Sequence, residues 1–118
     1  MARKYFGFAL ADSMFAGMED CVINRRALSI GEATTLIAED DIGPCLNPSH
    51  KATIDAMQSR FGIHVDIPRT PSRVQLTKGD SLIVMGVRDL PRLTHRHEYT
   101  EKEIAAASFS FSLYTVAQ

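Results

Sequence analysis

Ser81-Leu82-Ile83-Val84-Met85-Gly86-Val87 is the stretch that decides the fold. Lys78-Gly79-Asp80 ahead of it has turn composition, and the run itself is apolar on both alternating faces. Such a segment predicts a strand at the centre of a sheet, with material packed on both sides. Toward the C-terminus, Ser108 to Val116 alternates cleanly and predicts a final strand. Phe109, Phe111 and Leu113 then share one face. Ser108, Ser110 and Ser112 share the other, which suits solvent or a subunit contact. Just before this strand, Thr100-Glu101-Lys102-Glu103 has the form of a capping box and predicts a short helix.

Working toward the N-terminus, the alternation of Ile63-His64-Val65-Asp66-Ile67 predicts a strand with Ile63, Val65 and Ile67 on one side, and Val74-Gln75-Leu76 predicts a shorter one. Pro68 and Pro71 make the residues between them a stiffened connector. Lys51 to Phe61 predicts a helix that Gly62 stops, with Ile54, Met57 and Phe61 on its buried face. Gly43-Pro44, behind the acidic run Glu39-Asp40-Asp41, reads as a turn. Ser29-Ile30-Gly31-Glu32 is a second capping box, opening a short helix through Ala38. Cys21-Val22-Ile23 reads as a short strand, and Tyr5 to Leu10 as a central strand that ends at the loop-like Asp12-Ser13. Strands outnumber helices and some helices separate strands. The expected architecture is α/β (α+β): a mixed β-sheet of about five strands flanked by short helices, in a single domain spanning residues 1–118.

Size and composition bound the function. A chain of 118 residues with 45% hydrophobic side chains supports one core. Thirteen basic against fourteen acidic side chains leave a formal charge of −1, so strong nonspecific nucleic-acid binding is not expected. Cys21 and Cys45 are isolated, without a CxxC pattern. That spacing points to buried free thiols in a reducing cytoplasm, rather than a disulfide framework or a zinc site. No signal peptide or membrane span is expected, since Tyr5 to Ala11 is too short to cross a bilayer.

Candidate chemistry begins at His50. It stands where the Lys51–Phe61 helix starts, behind Asn47-Pro48-Ser49, among the free N–H groups and positive dipole end that favour a phosphate. A polar residue at such a position is most often simply solvated, so position alone favours that reading over a site. Two basic clusters add to it: Arg69 and Arg73 around the proline connector, and Arg88, Arg92, His95, Arg96 and His97 after the central strand. Arginine holds phosphate through paired hydrogen bonds, and histidine moves a proton near neutral pH. Together they suit metal-free cleavage of an RNA-type phosphodiester, in which a 2′-hydroxyl attacks its own phosphate and an acid protonates the leaving 5′-oxygen. A basic surface loop is an equal reading of the second cluster. His95-x-His97 is also a metal-pair pattern, weakened by the lack of a third ligand beyond Glu98. His64 reads as solvated, and Met14, Met18 and Met57 as core.

The order of motifs resembles a known family. Ser13-Met14 after the first strand, Ser29-x-x-Glu32-Ala33, His50-x-x-Thr53 with Gly62 closing the helix, Ile67-Pro68, and Leu76-x-x-Gly79-Asp80 before Leu-Ile-Val are similar to the small viral ring nucleases. These are anti-CRISPR proteins of archaeal viruses and phages, with bacterial relatives, that bind and degrade cyclic tetra-adenylate, the second messenger of type III CRISPR defence. The resemblance implies a mixed sheet flanked by helices, a homodimer with the ligand held across its interface, and no metal or other cofactor. It implies that His50 is the catalytic general acid, and that His95 or Glu98 takes the place of a family glutamate. Ligand contacts would come from Ser13, Ser49, Arg69, Arg73, Arg88 and Arg92. The chain departs from the family at Pro48-Ser49-His50, where Ile-Gly-His is usual, at Ala11 in place of a serine, and at Thr70-Pro71 in place of Asn-Arg. The expectation is a metal-independent enzyme of the host-cell cytoplasm that cleaves a cyclic oligoadenylate. The alternatives are a non-catalytic member that sequesters a signalling nucleotide, and a viral DNA- or protein-interaction module.

Overall fold

The computed structural model describes residues 3–38, 42–46, 48–69, 74–91, 93 and 98–117. Its five strands are β1 (Lys4–Gly7), β2 (Ile23–Leu28), β3 (Ile42–Cys45), β4 (Ser81–Arg88) and β5 (Ser108–Val116). Three helices are interspersed: α1 (Ile30–Ile37), α2 (Lys51–Phe61) and α3 (Glu101–Ala106). The strands form one mixed sheet in the order β2-β5-β4-β1-β3. β1 runs parallel to β3 and β4, whereas β5 is antiparallel to β4 and β2. The apolar run 81–88 is central, and its two faces meet separate cores.

On one face, Phe6, Ile83, Met85 and Phe111 pack against Ala33 and Ile37 of α1 and Ile54 and Met57 of α2. On the other, Leu82 and Val116 pack against Met14 and Leu76. Met14 belongs to a 3-10 turn, Asp12–Phe15, and its carbonyl accepts the Leu76 N–H at 2.7 Å, which fastens two irregular segments over the second face.

Local chemistry accounts for the helix boundaries. Both capping boxes form. Ser29 Oγ accepts from Glu32 N at 3.1 Å, and Glu32 Oε1 accepts from Ser29 N at 3.0 Å. Thr100 and Glu103 repeat the exchange at the start of α3, at 3.2 and 2.9 Å. Gly62 ends α2 with φ 72°, a left-handed conformation that costs glycine little, and its N–H donates to the Gln58 carbonyl at 2.8 Å. Arg60 ties α2 to α3: its guanidinium donates to the carbonyls of Ile104 at 2.8 Å and Ala107 at 2.7 Å, while stacking on Phe61 and Phe109.

Several expectations are corrected. Gly43-Pro44 is not a turn but lies inside β3, where an edge strand tolerates a proline that lacks a ladder N–H. The second strand begins at Ile23 and continues to Leu28, rather than occupying 21–23. Among the described residues, 63–67 and 74–76 belong to no strand, although Ile63, Val65 and Leu76 are buried as alternation requires. The first strand stops at Gly7. Both cysteines are free but only half-buried. Among the described residues, no helix is long and apolar enough to cross a membrane.

Candidate functional site

β1 and β3 are parallel neighbours with Gly7 opposite Cys45, so the chain leaves both strands at the same edge of the sheet. Ligand sites in sheets with parallel strands gather at that carboxyl edge. The approach is close: a Cβ on Gly7 would stand 3.0 Å from the Cys45 carbonyl oxygen, which explains glycine at that position. Beyond Gly7 comes Phe8. Beyond Cys45 and the buried Leu46, a 3-10 turn, Pro48–His50, leads into α2. The two exits therefore bring Phe8 and His50 together, with ring centroids 4.6 Å apart and ring planes at 82°.

His50 occupies the N-cap position of α2 with helical backbone angles and no side-chain capping bond. The residue is thus the hinge between the 3-10 turn and the helix, not a member of the first helical turn. It is half-buried, and burial pushes its pKa below the ordinary histidine value. At neutral pH the uncharged imidazole is favoured.

Two of the other candidate residues reach the same end of α2. Arg69 lines a cleft of about 420 Å³ together with Lys51 and Ile54. Glu98 stands over α2 from the other side, lining a smaller cleft of about 250 Å³ with Ala52 and Asp55. The Lys51 ammonium is paired with Asp55 at 2.7 Å, and its pKa is raised first by that bond and more weakly by the charge of Glu98. Ser49 precedes His50 on the same turn and is exposed.

The remaining candidates distribute differently. Arg88 ends β4 opposite Ser108, four residues beyond the point where Val84 pairs with Gly7, so it marks the sheet edge further toward β5. Asp89, which follows β4, has φ 67°, a left-handed conformation that aspartate tolerates. Ser13 lies on the 3-10 turn whose Met14 packs against the opposite face, so within one chain it is not brought to His50. Arg73, Arg92 and His95 lie outside the described residues, as does the His95-x-His97 pair. His64 is largely exposed, bonded to Gln58 at 3.0 Å and Asp66 at 2.8 Å. Among the described residues, no group of three or more His, Cys, Asp and Glu is placed to hold a metal ion.

Phe8 and Lys51 were not legible as site residues. The contact of Phe8 with His50 follows from the β1–β3 pairing, which the turn-like Gly43-Pro44 conceals in the sequence.

No protein-family model matches the sequence, and no curated protein matches it. A solved structure does. B116 of Sulfolobus turreted icosahedral virus aligns with a TM-score of 0.70 at 17% identity, over 97% of this chain and 99% of that one. The two chains share one fold. The agreement runs end to end, so the five-stranded mixed sheet and its helices form the common unit.

Proposed function

We propose that the chain binds a cyclic oligoadenylate and cleaves it without a metal, with His50 as general acid, and so counters type III CRISPR signalling. The observation that carries the reading is the placement of His50 at the carboxyl edge of the parallel strands, packed on Phe8, with Arg69 and Glu98 reaching the same end of α2. An acid is needed at the leaving 5′-oxygen, and a cation is needed for the phosphate. Glu98 would orient the attacking 2′-hydroxyl or take its proton. Two copies of the chain are proposed to hold the ring between them. Ser13, Arg73, Arg88, Arg92 and His95 remain proposed ligand or catalytic residues. The likeness to a viral fold favours a viral setting for this activity.

The depressed pKa of His50 bears on mechanism. Burial disfavours imidazolium in the free protein, whereas a bound phosphate favours it, so the acid is formed in the complex. The same observation supports a second reading, sequestration without cleavage, if ligand binding leaves His50 neutral. Incubation with cyclic tetra-adenylate in EDTA separates the two. Linear products from wild type, absent with His50→Ala, support cleavage. A tight complex that returns the ring intact supports sequestration, and failure to bind any cyclic oligonucleotide sinks both.

A further inference from the structure

β2 and β3 are the two edge strands, so β2 lies across the sheet from the β3 exit that leads to His50. The register fixes which backbone groups of β2 are spare. Val22 O accepts from Ala117 N at 2.7 Å, and bonded pairs alternate in an antiparallel ladder, so Asn24, Arg26 and Leu28 turn their N–H and C=O groups toward β5. Those of Ile23, Arg25 and Ala27 point outward, and among the described residues no strand pairs with them. The side chains along this edge are exposed from Asn24 to Ala27. Apolar residues bracket it: Val22 is 53% exposed, and Ile30, the first residue of α1, is 43% exposed. Between them, Arg26 is compensated by Glu32 at 2.7 Å. Arg25 is not. Its guanidinium donates to Ser112 Oγ at 2.8 Å and Tyr114 Oη at 3.2 Å and lies over the Tyr114 ring, all of them neutral groups. A charged side chain that only protects an edge reaches into solvent, whereas this one is fixed along the sheet with no carboxylate against it among the described residues.

We propose that the β2 edge is a docking site for an extended acidic peptide segment of a partner protein. The segment adds to the sheet as a further strand, sets a carboxylate against Arg25 and lays apolar residues on Val22 and Ile30. Backbone bonds to Ile23, Arg25 and Ala27 supply affinity, and the flanking side chains supply selectivity. A residue directly opposite Arg25 has its Cβ about 5 Å away, within reach of a glutamate. A second copy of the chain fits this edge less well. The antiparallel registers that overlap β2 most fully set either Arg25 or Arg26 of one copy opposite the same residue of the other, and like charges directly opposed are destabilising. The inference stands on the sheet edge alone and does not depend on the chemistry at His50.

Amide exchange followed by NMR tests it with two synthetic peptides of alternating valine and threonine, one with glutamate at its centre and the other with lysine. The glutamate peptide is expected to slow exchange at Ile23, Arg25 and Ala27, and to leave Asn24 and Arg26, already bonded to β5, unchanged. The lysine peptide is expected to bind about ten-fold more weakly. Arg25→Gln is expected to bring the two affinities together, and Arg25→Glu to reverse their order. Arg25 is exposed, so both variants should fold, which unchanged exchange in β4 verifies. Equal affinity of the two peptides for the wild type overturns the proposal, as does protection that falls elsewhere in the chain. Protection of Ile23, Arg25 and Ala27 in the free protein that disappears on dilution gives the edge to a second copy and overturns it too.

Discussion

The edge of the Phe8 ring meets the His50 ring at 4.6 Å between centroids, because two parallel strands release the chain side by side at Gly7 and Cys45. Phe8 in turn stands edge-on to the buried Phe6 at 6.0 Å, which anchors the contact to the core. The histidine that introduces α2 is thus also packed against a residue that leaves the sheet.

Removing that ring has a defined electrostatic effect. Burial is the cause of the lowered His50 pKa, and burial penalises the charged imidazolium. Phe8→Ala admits water, so the His50 pKa is expected to rise toward the ordinary value, and Phe8→Leu to leave it low. Titration followed by the imidazole NMR signals distinguishes the variants. A phosphate ligand is expected to raise the wild-type value. An unchanged pKa in Phe8→Ala would show that other groups desolvate the ring.

Asp80 predicts acid sensitivity. Its carboxylate is buried and accepts from Arg3 N, Thr77 N and Thr77 Oγ1, each at 2.9 Å, joining the start of β1 to the turn before β4. Burial alone raises its pKa, but the hydrogen bonds from Arg3 and Thr77 outweigh it and the net shift is downward. The folded pKa lies below the unfolded value of about 3.9, so the contribution is complete above that value and is lost as pH falls through the folded pKa. Asp80→Ala is expected to cost about 2–3 kcal/mol in urea denaturation at neutral pH, and to flatten the dependence of stability on pH in the acid range.

Arg60 predicts a graded loss. Its planar guanidinium serves three carbonyls at the end of α3, those of Ile104, Ala105 and Ala107, while lying on Phe61 and Phe109. Lysine retains the charge but not the fork. Arg60→Ala is expected to cost about 1–2 kcal/mol and Arg60→Lys roughly half of that, with faster amide exchange confined to α3. Equal exchange throughout the chain would place the effect in global stability instead.

How far the fold was legible depends on which force marks each element. β4 and β5 are marked by side-chain periodicity, and α1 and α3 by capping boxes whose bonds close within four residues, so all four stand in plain sequence. β2 was displaced because Asn24, Arg25 and Arg26 disguise it. The structure satisfies these polar side chains laterally: Arg25 donates to Ser112 and Tyr114 of β5, and Arg26 to Glu32 of α1, at distances no local pattern displays. Segment 63–67 shows the converse. Alternation reports burial of Ile63 and Val65 correctly, but hydrogen-bond pairing depends on a neighbouring strand, and among the described residues no strand pairs with this segment. His50 was legible as a candidate from its place at a helix start. Its ring partner was not, because Phe8 is 42 residues away and meets it only through the β1–β3 register.

That register supplies the last prediction, since it makes a backbone position far from any chemistry control the site. A Cβ on Gly7 would lie 3.0 Å from the Cys45 carbonyl oxygen and 3.2 Å from its Cβ, and a strand backbone yields less readily than a flexible side chain. Gly7→Ala is expected to push β3 from β1, cost about 1–3 kcal/mol as overpacking does, and separate Phe8 from His50. The His50 pKa should then rise, and cleavage or ligand binding should fall more than stability explains. Gly62→Ala is the matched control. It strains a φ of 72° with no atom within 4 Å of the new Cβ, so it is expected to cost roughly 1 kcal/mol without moving the His50 signals. If both variants lose stability alike and neither alters His50, the strand exits do not set the histidine, and the helix start holds it unaided.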